Sequence, residues 1–293
     1  MKYRNLGKSS LKISEIGLGT EYLARQPADT VIQTVHSAIE AGINYFDVLF
    51  AFPRYLEALG RAIESRRDKV NLAVHIGAGL VAGKHRKIRS SESARKAFDD
   101  VLTRLNIDHV DVAVIQNVDA KEYDRIMKPT GLIKFAGELK ETQRARYLGI
   151  SIHDPELAQK ALKTGKFDLL MSQFNLFAGD IPERGELVQQ CYDSQTAFVA
   201  IKPYAGGHLL NTGRKVRVPS YKSGGEVKEI KLPKTEYMTA RCLSFILDQK
   251  GVTSVIPGVK NTDELQQTLN YYATNPQQKD YHFLLEHIKE VKQ

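Results

Sequence analysis

Short β-branched runs alternate with longer amphipathic segments along this chain, and that alternation is the strongest constraint on its fold. A strand that returns through a helix to its predecessor lies parallel to it, so the pattern builds a parallel sheet from βα units. The candidate strands are Ile16–Gly19, Tyr45–Leu49, Val70–His75, Val110–Gln116, Tyr147–Ile152, Leu169–Phe174, Phe198–Lys202 and Ser254–Pro257. Helical patterns fall between them, among them Thr30–Ala41, Tyr55–Ser65, Glu92–Leu105, Glu156–Lys163, Glu183–Ser194 and Met238–Gln249. Asp154-Pro155-Glu156 combines an N-cap, a first-turn proline and a nearby acid, and Thr262-Asp263-Glu264 opens another helix. Eight strands, most followed by a helix, predict an α/β fold, a (β/α)8 TIM barrel. The alternative is an open doubly wound sheet, but no Gly-x-Gly-x-x-Gly turn follows the first strand.

Tyr3 to Ile13 reads as a β-hairpin with Gly7-Lys8-Ser9-Ser10 in its turn, placed to plug the barrel's N-terminal end. An extra C-terminal helix is expected from Tyr281 to Val291. A barrel of this type takes about 250 residues, so residues 1–293 read as a single barrel domain. The stretch 206–234 is too long for an ordinary βα connection and holds Gly224-Gly225 and two prolines, so a mobile loop is expected there.

Composition narrows the function classes. No apolar run approaches the roughly 20 residues of a membrane helix, and the first residues lack a signal peptide's apolar stretch. Cys191 and Cys242 make neither a disulfide framework nor a metal cluster, which points to a reducing cytoplasm and no bound metal. The net charge of +8 favours anionic partners, with basic residues crowded at Lys84–Arg89 and Arg214–Lys234. No nucleic-acid-binding motif accompanies the charge, so a phosphate-bearing cofactor or a solvated surface accounts for it.

Several segments, in this order and spacing, resemble the aldo-keto reductase family over nearly the whole chain. They include Tyr3–Leu11, Ala41–Asp47, Leu59-Gly60-Arg61-Ala62, Leu105–Asp111, Tyr147–Ser151, Ser172–Asn175, Lys202-Pro203 and Ile256-Pro257-Gly258. The likeness is greatest to prokaryotic members that carry a ferredoxin-like cysteine cluster after the barrel, a cluster missing here. The resemblance implies NADPH-dependent reduction of aldehydes and ketones by an Asp, Tyr, Lys and His tetrad at strand C-terminal ends. Asp47 matches the Asp, whereas Phe52 stands for the Tyr, His75 for the Lys and Gln116 for the His.

Two readings of Asp47, His75 and Gln116 stand side by side. In one they form a relic pocket that satisfies its own polar groups without turnover, leaving a nucleotide- or partner-binding barrel. In the other Asp47 holds His75 as general acid or base and Gln116 orients a substrate oxygen. That chemistry would be redox on a small carbonyl or alcohol, or a non-redox lyase or isomerase step using His75. Tyr22, Phe52 and His153 are candidate walls of the substrate pocket. The resemblance also implies cofactor contacts: Ser151 and Gln173 at the nicotinamide carboxamide, Lys202 beside the pyrophosphate, and Gly258, Lys260 and Asn261 in the adenosine-phosphate loop. Lys260 would pair with a 2′-phosphate, which favours NADP(H), with NAD(H) as the alternative; Glu264 and Thr268 stand where relatives often carry Arg and Asn.

Overall fold

The computed structural model of the protein describes residues 1–179, 181–218 and 228–292. Strands β1 (Tyr3–Asn5) and β2 (Lys12–Ser14) pair antiparallel, with Tyr3 opposite Ser14. Then follow β3 (Leu18–Gly19), β4 (Tyr45–Val48), β5 (Asn71–Ile76) and an antiparallel pair, β6 (Ala78–Val81) with β7 (Lys84–Lys87). The ladder resumes with β8 (Val110–Ile115), β9 (Ala145–Ser151), β10 (Leu169–Gln173) and β11 (Ala197–Ile201). A second antiparallel pair, β12 (Lys215–Val218) with β13 (Lys228–Lys231), precedes β14 (Val252–Ile256).

Eight strands make one parallel sheet in the order β14-β11-β10-β9-β8-β5-β4-β3. Its two edges meet: Ile16 bridges Val255, Gly19 bridges Gly258, and the Gly17 amide donates to the Val255 carbonyl at 2.9 Å. The sheet is therefore a closed (β/α)8 barrel. Every residue of β4, β8 and β14 is buried, as expected for strands covered on both faces.

The helices around the sheet are α1 (Ala28–Glu40), α2 (Pro53–Ile63), α3 (Ser91–Leu105), α4 (Ala120–Met127), α5 (Leu132–Glu141) and α6 (Pro155–Leu162). The second half adds α7 (Pro182–Asp193), α8 (Met238–Leu247), α9 (Thr262–Leu269), α10 (Pro276–Lys279) and α11 (His282–Lys292). The α6 start is as read from sequence: Asp154 accepts from the Leu157 amide at 2.8 Å, and Pro155 fills the first turn, where no amide is needed. No helix among the described residues is long and apolar enough to cross a membrane.

The N-terminal hairpin closes the barrel floor. Leu6 and Ile13 are buried and join the interior layer of Tyr45, Val112, Val114 and Met171. Burying side chains of this size stabilises by about 1.5–3 kcal/mol each. Gly7 turns the hairpin at φ +55°, and a Cβ there would lie 2.4 Å from the Gln195 carbonyl oxygen. Only glycine fits both the angle and the gap. Arg4 then ties the hairpin to the far end of the chain, donating to the Val252 carbonyl at 2.6 Å and to Glu15 at 2.9 Å.

Three departures from the sequence reading stand out. The β6–β7 hairpin arises where only a basic cluster is legible. Helices α4 and α5 occupy a stretch without a marked pattern. Of the 206–234 segment, residues 219–227 lie outside the described residues, while its flanks pair as β12 and β13 with Val216, Val218 and Ile230 buried.

Candidate active site

The C-terminal ends of the barrel strands surround a cavity of about 160 Å³. Asp47, His75, Gln116, Ser151, His153 and Lys202 line it, together with Glu21, Asn117 and Gly258 and an apolar floor that includes Met171 and Ile256. The barrel thus brings together the three residues that the sequence offers as chemistry-bearing, each 8% exposed. His75 Nε2 lies 2.8 Å from Asp47 Oδ1. A carboxylate only accepts, so this nitrogen carries the proton and Nδ1 is the free one. His75 Nδ1 is buried and, among the described residues, has no hydrogen-bond partner.

Among the described residues no tyrosine lines this cavity. Phe52 caps the start of α2 and its ring lies against Phe50, with centroids 5.2 Å apart, outside the cavity lining. The Tyr55 hydroxyl donates to Thr20 Oγ1, which donates to the Asp47 carbonyl at 2.6 Å. Burial drives the Tyr55 hydroxyl far above its ordinary value. Tyr22 belongs to a neighbouring groove.

His153 is held neutral by its surroundings. Burial, then the positive charges of Lys202 and Arg184 and the nearby His75, push it down to about 4. Arg184 is itself buried and donates to the carbonyls of His153 at 2.7 Å and Gln173 at 2.6 Å, fixing two strand ends. Gln173 is held through its backbone and does not line the cavity.

A histidine not singled out in the sequence adjoins the site: His85 Nε2, from β7, lies 3.2 Å from Gln116 Oε1. Below it, Arg89 reaches the carbonyls of Gly77, Gln116 and Asn117 at 2.9, 2.8 and 3.2 Å. Glu122 of α4 balances that guanidinium with contacts at 2.8 and 2.6 Å, and Lys87 adds a third at 2.7 Å. Burial alone would raise the Glu122 carboxyl; the hydrogen bonds from Arg89 and Lys87 bring it down to about 2. Of the basic Lys84–Arg89 run, Arg89 is internal structure and Lys87 pairs with Glu122 from the surface, while Lys84 and Arg86 stay exposed.

Gly258 also lines a second groove of about 270 Å³, with Tyr22, Tyr204, Gly206, Gly207, Lys260 and Glu264. A Cβ on Gly258 would sit 2.8 Å from the Tyr22 ring. Gly206 and Gly207 have φ of +69° and +92° and, among the described residues, open space where a Cβ would be. Asn261 caps α9, its side chain accepting from the Glu264 amide at 3.0 Å. The Lys260 amide donates to Glu264 Oε2 at 2.8 Å, and its Nζ lies 3.7 Å from Oε1. Among the described residues no group of three or more His, Cys, Asp or Glu is arranged to hold a metal ion.

A plugged eight-stranded barrel with its polar cavity at the strand C-terminal ends has the architecture of a (β/α)8-barrel enzyme. The chain belongs to the Aldo/keto reductase family, a family of oxidoreductases, whose profile matches residues 15–289. It is 30% identical to the uncharacterized oxidoreductase YqkF of Bacillus subtilis, an alignment covering 92% of this chain and 90% of that one. It is 24% identical to L-galactose dehydrogenase of Arabidopsis thaliana, over 92% of this chain and 87% of the relative. Among solved structures, the holo form of aldo-keto reductase AKR11C1 from Bacillus halodurans superposes with a TM-score of 0.76 at 22% identity, covering 99% of this chain and 96% of that one.

Proposed function

We propose that the protein is a nicotinamide-nucleotide-dependent oxidoreductase acting on a small carbonyl or alcohol, with His75 in place of a tyrosine as its proton-transfer group. The observation that carries this reading is the 2.8 Å Asp47–His75 contact inside a cavity that shares Gly258 with the adjoining groove. The groove suits an extended anionic ligand. Gly206 and Gly207 leave room for close backbone approach, and α9 begins at its edge with its dipole favouring negative charge. Ser151, Lys202, Gly258, Lys260 and Asn261 are the residues that would hold the nucleotide. The bound nicotinamide supplies a hydride acceptor in one direction and a donor in the other.

The chain's own contribution is the proton. With Nε2–H on Asp47, neutral His75 offers the Nδ1 lone pair to an alcohol hydroxyl; doubly protonated, it returns that proton to a carbonyl oxygen. Asp47 fixes the tautomer and offsets the charge on the imidazolium. Oxidation therefore draws on the neutral form of His75, and reduction on its protonated form. Gln116 binds the reacting oxygen, and the apolar floor of Met171 and Ile256 limits water.

Fluorescence and thermal-shift titrations with NADPH and NADH, followed by an aldehyde, ketone and alcohol panel, test the reading. Binding of either nucleotide with turnover is expected. No binding at millimolar nucleotide overturns it, binding without any turnover indicates a silent barrel, and turnover indifferent to nucleotide indicates a lyase or isomerase.

A further inference from the structure

We infer that His85, on the β6–β7 hairpin, is a positioning residue of this site: it occupies the carbonyl oxygen of the Gln116 side chain and leaves the amide nitrogen as the donor for a substrate oxygen. The role assigned to Gln116 rests on the function proposed above; the assignment of His85 to Gln116 does not.

A carboxamide can face a ligand with either end, and its neighbours decide which. His85 Nε2 lies 3.2 Å from Gln116 Oε1, while His85 Nδ1 is buried without a partner among the described residues. A buried lone pair left bare is tolerated better than a buried N–H left without an acceptor. The proton thus sits on Nε2 and is donated to Oε1. The free amide N–H groups of Gln116 then suit an oxygen acceptor, such as a carbonyl or an alkoxide-like oxygen, better than a donor.

The hairpin is built to hold this contact. Ala82 and Gly83 turn it with φ of +49° and +72°, the two left-handed residues of a tight hairpin turn, and Leu80 pairs with His85. The His85 ring meets Phe50 edge-on with centroids 4.9 Å apart. Burial lowers its basicity, opposed by the Gln116 contact and aided by His75. Arg89, just past the hairpin, grips the Gln116 carbonyl at 2.8 Å and the Gly77 carbonyl at 2.9 Å. One segment therefore fixes Gln116 twice, by main chain and by side chain.

Nitrogen-15 NMR of the histidine side chains in the full-length protein tests the contact without any substrate. A neutral Nε2–H tautomer for His85 at pH 7 is expected, with its resonance displaced in Gln116→Met. An Nδ1–H tautomer, or no response to Gln116→Met, overturns the assignment. With 4-nitrobenzaldehyde and the better-bound nucleotide, His85→Ala is expected to lower kcat/KM about tenfold with nucleotide affinity unchanged. His85→Asn, which keeps a donor, should recover most of the loss, and Lys84→Ala on the same hairpin should leave activity at the parent level. Equal losses in the Ala and Asn variants, or a matching loss of nucleotide affinity, overturn the positioning role. Absence of any nucleotide binding would remove the proposed function while the NMR result stands or falls by itself.

Discussion

Replacing Glu122 by Gln tests the electrostatic frame that holds the end of β8. Glu122 is 7% exposed and accepts from Arg89 twice, at 2.8 and 2.6 Å, and from Lys87 at 2.7 Å. Its carboxyl drops from 4.5 to about 2. At 1.36 kcal/mol per tenfold in the proton equilibrium, that drop corresponds to about 3 kcal/mol of stability at neutral pH. The folded value lies below the unfolded one, so the contribution is full above about 4.5 and disappears as pH falls through about 2. At pH 3 the same linkage leaves about 1.4 kcal/mol. Urea unfolding of the parent and Glu122→Gln at pH 7 and pH 3 measures both gaps. A gap that does not narrow on acidification, or one under about 1 kcal/mol at pH 7, would refute the reasoning.

Other outcomes follow from the same geometry. His75→Ala should lower turnover by about 10²–10⁴, with nucleotide affinity nearly unchanged in a fluorescence titration. Gly258→Val places side-chain atoms against the Tyr22 ring, which a Cβ alone would approach to 2.8 Å, and should weaken nucleotide binding about tenfold by calorimetry. His153, depressed from 6.5 to about 4, makes the parent lose thermal stability as pH drops from 6.5 toward 4; His153→Gln should flatten that part of the curve. Phe52→Tyr restores the hydroxyl that the family resemblance associates with proton donation. Because Phe52 lies against Phe50 outside the cavity lining, kcat/KM should stay within about twofold of the parent.

Asp47, His75 and Gln116 were legible because residues at the ends of parallel strands share one rim whatever the loops do. Side chains leaving those strands by loops and helix starts were less legible. Phe52 and Tyr22 lie close to the rim in sequence, but the turn into α2 sends the first against Phe50, and the second lines the adjoining groove. His85 was illegible because β7 reads Lys-His-Arg-Lys, with no apolar alternation to mark a strand. The same run carries two cations that pair with Glu122, Lys87 from the surface and Arg89 from inside, an arrangement set by a partner on α4. Helix α4 was not read, although its Asp119–Glu122 capping box was readable in principle.

The seam where the barrel closes has a consequence for how the protein is made. Ser254 Oγ donates to the Ser14 carbonyl across a separation of 240 residues, and Arg4 meets Val252 across 248. At the usual 5–20 residues per second, a ribosome needs on the order of 10–50 s to bridge that interval. Throughout it the first strand, though paired with β4 on one side, lacks the neighbour that closes its other edge. Birth of this barrel is thus a waiting problem, in which the opening residues must be kept from other partners until the last strand arrives.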